Sequence, residues 1–229
     1  LTFHLVRIEQ NVPARNGDEG FDTRDPSYTA RLVSTQSAWW KRWLDVQAPY
    51  RWNLRRLSLG FTLDVGCGIG RNLVNLDGHG VGIDHNRDFV EIARARGLHA
   101  FTPETFRASP FNEAESFESI LLAHVVEHMT EEQATRLLGE YLPLLKLPGR
   151  VVLIAPQEAG YRSDPTHVQF MNFDALRRIA SALGLTPIRE YSFPFGRLVG
   201  RCFRHNEFVS ISEKSKGDGV QAPSVGQRT

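Results

Sequence analysis

Three stretches of this sequence carry residues whose type and spacing could do chemistry. The first is LDVGCGIGR (63–71), followed by Asp84, eighteen residues beyond Gly66. Glycines at 66, 68 and 70 let a backbone turn tightly and let a ligand lie against it. A carboxylate at the end of the next strand can accept hydrogen bonds from both ribose hydroxyls. A dinucleotide fingerprint would need its third glycine at position 71, which is Arg; the glycine comes one residue early. A bare helix N-terminus suits a pyrophosphate, whereas a D-x-G-x-G turn suits a nucleoside ligand without phosphates, S-adenosylmethionine being one. Its amino-acid end would pack by Gly66, Cys67 and Gly68, and its ribose on Asp84. Asp64 can bond loop amides or the ligand ammonium.

The second stretch is AHVVEHM (123–129), with His124, Glu127 and His128. H-x-x-E-H is the inverted zinc-peptidase pattern, but that chemistry needs both histidines on one face of a helix. Here His124 directly follows a strand pattern, and Thr130 caps the next helix. The stretch therefore reads as a strand-end loop with groups that catalyse, position a substrate or brace the loop. No metal is assigned, and the sequence leaves open whether a divalent ion sits beside Glu127 and His128. The third stretch is QEAGYRSDPTHVQFM (157–171), fifteen residues without a clear period; loops of that length are usually functional. Asp164 and His167 are three apart, and a carboxylate near imidazole raises its basicity and sets its tautomer. His167 is the candidate general base for a hydroxyl attacking an electrophilic methyl, with Asp164 orienting it and His128 in reserve.

All four tryptophans, Trp39, Trp40, Trp43 and Trp52, lie among arginines in QSAWWKRWLDVQAPYRWNLRR. Trp39, Trp40, Trp43 and Leu44 form a stripe at helical spacing, with Pro49 expected to end that helix. The stripe either packs on a sheet edge or closes as a lid over the site. YSFPFGRLVGRCFRHNEF (191–208) would complete a pocket wall or make a dimer contact.

The elements needed to position these groups are legible as alternating strands and helices. Strand patterns at 60–65, 78–84, 98–101, 116–125 and 148–156 alternate with helix patterns at 70–76, 86–97, 130–146 and 172–185. TPIREYSF and RCFRHNEFVSIS then close as two strands, expected to be antiparallel neighbours. This order predicts an α/β fold, Rossmann-like, with a mostly parallel sheet and helices on both faces. Ligands then sit beyond the carboxyl ends of the strands.

LDVGCGIGR, GID, SFESILLAHVVEHM and GRVVLIAP, in that order, resemble the motifs of class I S-adenosylmethionine-dependent methyltransferases over roughly residues 59–211. The resemblance implies a seven-stranded sheet with a reversed C-terminal hairpin, and Gly66, Gly68 and Asp84 as cofactor residues. It also implies that the segment of Glu104 and Phe106 covers the adenine, and that Ala123 and His124 lie under the transferring methyl group. The expected division is a helical or lid segment over 1–58, the methyltransferase domain over 59–211, and a disordered tail over 212–229.

Composition narrows the classes. The chain has 229 residues, and 27 Lys+Arg against 26 Asp+Glu leave a net charge of +1. That lacks the basic excess of a non-specific nucleic-acid binder, so no nucleic acid is expected. The two cysteines cannot build a disulfide framework, which makes the cytoplasm the expected compartment. No apolar run reaches a membrane span, and LTFHLVRIEQ does not read as a signal peptide. The expectation is a methyltransferase acting on a small-molecule acceptor, most simply at oxygen. An N-methyltransferase on an amine or peptide and a non-catalytic cofactor-binding scaffold are the alternatives; oligomeric state is not legible.

Overall fold

The computed structural model describes residues 47–215. The chain runs α1 (Ala48–Arg56), β1 (Thr62–Val65), α2 (Arg71–Asn75), β2 (Gly80–Ile83), α3 (Arg87–Ala95), β3 (His99–Phe101) and α4 (Pro103–Arg107). It continues through β4 (Phe117–Ala123), α5 (Glu131–Tyr141), β5 (Leu145–Pro156), α6 (Glu158–Tyr161), α7 (Phe173–Ala182), β6 (Thr186–Phe193) and β7 (Glu207–Lys214). The seven strands form one sheet in the order β3-β2-β1-β4-β5-β7-β6. β1 to β5 pair in parallel, while β7 runs antiparallel to both β5 and β6. This is the expected seven-stranded, mostly parallel sheet with a reversed C-terminal hairpin.

Every residue of β1 and β2 is buried, as strands covered on both faces must be. Alternation along β4 divides the core between those faces. Ile120 and Leu122 pack with Leu138 and Leu176 on one side. Leu121 packs on the other with Val152, Val209 and, from the α1 region, Leu54 and Leu57. Burying each such side chain stabilises by roughly 1.5–3 kcal/mol. Helix starts follow the sequence signals: Asn86 caps α3, Thr130 and Gln133 form a reciprocal capping box on α5, and Asn172 caps α7.

Because β1 lies between β2 and β4, successive crossovers leave it in opposite directions, opening a crevice at its carboxyl end. The glycine turn sits there, its Gly66 and Cys67 amides bonded to the Ile83 carbonyl at 2.8 and 3.0 Å. Gly66 has φ +78°, and a Cβ on it would stand 2.4 Å from Val125 Cγ2. Both conformation and space therefore demand glycine.

Two expectations need correction, and a third lies beyond the described residues. Pro49 does not end a helix; it occupies the first turn of α1, where its missing N–H costs nothing. The stripe of Trp39, Trp40 and Trp43 lies outside the described residues, and Trp52 is solvent-exposed. The start of the tail is also displaced: Ser212, Glu213 and Lys214 complete β7, paired with β5.

Candidate active site

Two cavities meet at the carboxyl end of β4. The larger, about 400 Å³, is lined by the glycine turn, Asp84, Phe89, Pro103, His128 and Tyr141, among others. The smaller, about 250 Å³, lies between α1 and the start of β7, with Tyr50, Asn53, Asn75, Arg204, His205 and Glu207 in its wall. Arg71, Asn72, Ala123 and His124 border both.

The larger cavity carries the glycine turn and Asp84 on one wall. Asp84 accepts the Gly68 amide on Oδ2 and the Asn86 amide on Oδ1, each at 2.8 Å, which fixes its carboxylate at the cavity wall. Each oxygen keeps a further lone pair for a ribose hydroxyl. Asp64 is fully buried; its Oδ1 takes only a 3.5 Å bond from Asn72, and its Oδ2 has no partner. Burial pushes its pKa up to about 7, against the opposing Asn72 bond. This unpartnered carboxylate lies behind the glycine turn and lines neither cavity itself. A Cβ on Gly68 would meet nothing within 4 Å, so that side of the turn is open to a ligand. Cys67 contributes backbone to the turn while its thiol is buried in a small cluster with Leu73 and Val90.

Glu104 and Phe106 do not line this cavity. Both belong to α4, which begins at a Thr102–Thr105 capping box. The helix turns Glu104 to solvent and buries Phe106 against Phe101 and Tyr141. Pro103 is the residue of that segment that reaches the cavity wall. A helical turn at TPETF, signalled by Thr102 and Pro103, is the part that sequence reasoning missed.

His124 stands at the junction. Its φ is +60°, a left-handed conformation for a residue with a side chain, while its amide still bonds Ile154 O at 2.9 Å. Such strain costs on the order of 1–3 kcal/mol and clusters at functional sites. Its Nε2 lies 2.8 Å from Glu207 Oε1, and its Nδ1 lies 3.3 Å from Glu127 Oε1. Burial disfavours charge on the ring, but the two carboxylates outweigh it and raise the pKa to about 10. His124 is thus an imidazolium at neutral pH, with 34% of its side chain exposed. Glu207 was not among the sequence candidates; it opens β7 directly after Asn206, in a stretch that carries no motif around it. Tyr50, also missed, ties α1 across the smaller cavity through a 2.7 Å bond to His205 O.

The third stretch is built differently from the expectation. Asp164 does not orient His167. Its Oδ1 accepts the amide and the hydroxyl of Thr166, at 2.9 and 2.7 Å, bracing the turn that Pro165 starts. His167 is instead held by the Tyr161 carbonyl, 2.7 Å from its Nδ1, and stacks on the Tyr161 ring. It is 9% exposed and lines neither cavity. His128 does reach the larger cavity, and burial lowers its pKa, keeping the ring neutral. Glu127, His128 and His167 present ligand atoms within 4.8 Å of one another.

Comparison with known proteins agrees with this geometry. Residues 62–149 match the family model described as a methyltransferase domain. A human protein named as a probable tRNA methyltransferase 9B is 37% identical over 93 residues, which are 40% of this chain and 20% of that protein. The chain thus matches only about a fifth of that relative's length. Among solved structures, the Synechocystis magnesium protoporphyrin IX methyltransferase with bound SAH superposes with a TM-score of 0.59 at 14% identity, covering 84% of this chain and 97% of that one. A Haloferax volcanii methyltransferase solved with the Trm112 activator gives 0.60 at 16% identity, covering 84% and 96%. Residues 62–149 thus match a methyltransferase domain, and the described residues share the fold of the solved methyltransferases, with one mostly parallel sheet closed by a reversed hairpin.

Proposed function

We propose that the chain transfers the methyl group of S-adenosylmethionine to the oxygen of a small-molecule acceptor seated in the smaller cavity. The observation that carries this reading is the meeting of the two cavities at Ala123 and His124. The cofactor supplies the electrophilic methyl; Asp64, Asp84 and the glycine turn hold it. Ala123 and His124 form the floor across which acceptor and methyl face each other, and orientation there supplies much of the acceleration. A histidine base at 167 has no access to either cavity. The acceptor proton passes instead to Glu207, and the His124 imidazolium stabilises the charge that develops on oxygen.

The test is mass spectrometry of small-molecule extracts incubated with protein and methyl-labelled cofactor. Removing the ring in His124→Ala should lower turnover by about 10²–10³ while the cofactor still binds by calorimetry. A labelled amine product in place of a labelled hydroxyl would overturn the oxygen assignment. A second reading, a nucleoside within RNA, is supported by the relatives named for tRNA and by exposed Arg71 and Arg204 at the smaller cavity. Label transferred to bulk tRNA, but not to small molecules, would favour it.

A further inference from the structure

Behind the junction, the Glu127 carboxylate is buried with one imidazole near Oε1 and nothing near enough to bond Oε2. The residue is 1% exposed, and neither carboxylate oxygen has a hydrogen-bond partner among the described residues. Burying a carboxylate in that condition costs several kcal/mol unless a cation compensates it. His124 Nδ1 approaches Oε1 at 3.3 Å while its Nε2 bonds Glu207, so this ring offsets part of that cost and leaves Oε2 without a partner. Two other imidazoles face the same carboxylate: His167 Nε2 stands 4.0 Å from Oε1, and the His128 and His167 ring centres are 4.9 Å apart.

The two rings are set in the same tautomer by main-chain acceptors. His128 Nδ1 lies 3.2 Å from Thr166 O, and His167 Nδ1 lies 2.7 Å from Tyr161 O. A carbonyl only accepts, so both Nδ1 atoms carry the proton and both Nε2 atoms keep a free lone pair. Imidazoles held this way by an outer partner, next to a carboxylate, are the usual construction of a metal site. Asp164 belongs to the same outer layer, since it accepts the Thr166 hydroxyl that lies 3.1 Å from His128 Nδ1.

We propose that Glu127, His128 and His167 form a binding site for one divalent transition-metal ion. Two imidazoles and one carboxylate select zinc, iron, cobalt or manganese over magnesium or calcium. The present spacing, up to 4.8 Å between ligand atoms, is slightly open and closes by about 1 Å around an ion with bonds of roughly 2.0–2.2 Å. Three protein ligands leave positions free, and of the three His128 borders the larger cavity. The ion would also clamp the loop after β5, which carries His167, to the end of β4, which leads into Glu127.

The test uses the full chain stripped with a chelator, then titrated with Co²⁺ and Zn²⁺. One equivalent should bind, with a visible cobalt spectrum of four- to five-coordinate type and a raised unfolding temperature. Glu127→Gln and His167→Gln should each weaken binding by 100-fold or more, with secondary structure intact by circular dichroism. Asp164→Asn should weaken it about 10-fold, as outer-layer changes do. Cofactor affinity of the stripped wild-type protein, measured in parallel, reads the cofactor site independently, so failure of one site is separable from failure of the other. Absence of saturable binding, or wild-type affinity in both Glu127→Gln and His167→Gln, would overturn the proposal.

Discussion

The larger cavity, proposed as the cofactor side, and the smaller one, proposed as the acceptor side, are built by different means. On the cofactor side the critical groups are close in sequence: Asp64, Gly66 and Gly68 on one strand end, Asp84 on the next. Bonds from backbone amides lock them, as from Gly68 N–H to the Asp84 carboxylate. On the acceptor side, contacts join remote segments: His124 to Glu207 across 83 positions, and Tyr50 to His205 across 155. A binding surface made of local backbone is written in a motif. One made of distant side chains emerges only when the chain is closed.

The largest effect that tests this contrast should come from Asp84→Ala. It removes the acceptor of two backbone amides together with the ribose partner, so S-adenosylmethionine affinity should fall by 100-fold or more in calorimetry, since bonds to a charged group are each worth about 1.5–3 kcal/mol. A loss under threefold would mean the turn holds without it. Asp64 gives the next effect, through pH. With its pKa near 7 in the free protein, cofactor binding that requires the carboxylate should weaken below pH 7, approaching tenfold per unit. The same residue has a stability signature of opposite sense. A raised carboxylate pKa means that the folded form holds more protons than the unfolded form between about pH 4 and 7. Its contribution is therefore fully present in acid and lost as pH rises through 7. Asp64→Asn should accordingly gain thermal stability over the wild type progressively from pH 4 to 7, while binding cofactor poorly at every pH. Parallel melting curves would refute a buried, proton-holding Asp64.

Gly66→Ala should act third. The added Cβ meets Val125 and the φ of +78° is unfavourable for alanine, together costing roughly 1–3 kcal/mol of stability. The smallest effect belongs to Tyr50→Phe, which severs one bond across the acceptor cavity. It should raise the acceptor KM a few-fold and leave cofactor affinity unchanged; an equal change in both would show that the two sides are not separable.

What the sequence made legible follows the same division. The succession of strands and helices, the caps Asn86 and Thr130, and the tight turn at Gly66 were readable because each depends on a few neighbouring residues. Asp164 and His167 were misjudged as partners because three residues of separation says nothing about direction: Thr166, between them, takes the carboxylate, and Tyr161 takes the ring. Glu104 and Phe106 failed for a related reason, since a five-residue helix reverses which side chains face inward. Glu207 was invisible because its partner His124 is supplied by a strand far upstream.

The position of β7 between β5 and β6 bears on how the molecule is made. A chain leaving the ribosome completes β1 to β5, and with them the glycine turn and both aspartates, before the hairpin exists. β6 then emerges with no strand to pair, because its only neighbour in the sheet among the described residues, β7, is synthesised after it. Glu207 and His205 arrive with or just ahead of that last strand, so the acceptor wall is the final part of the site to form. Domains tend to assemble in order of synthesis, so a nascent chain should acquire its cofactor cavity first. Its exposed β5 edge should be the surface most in need of chaperone cover until the final strand slots in.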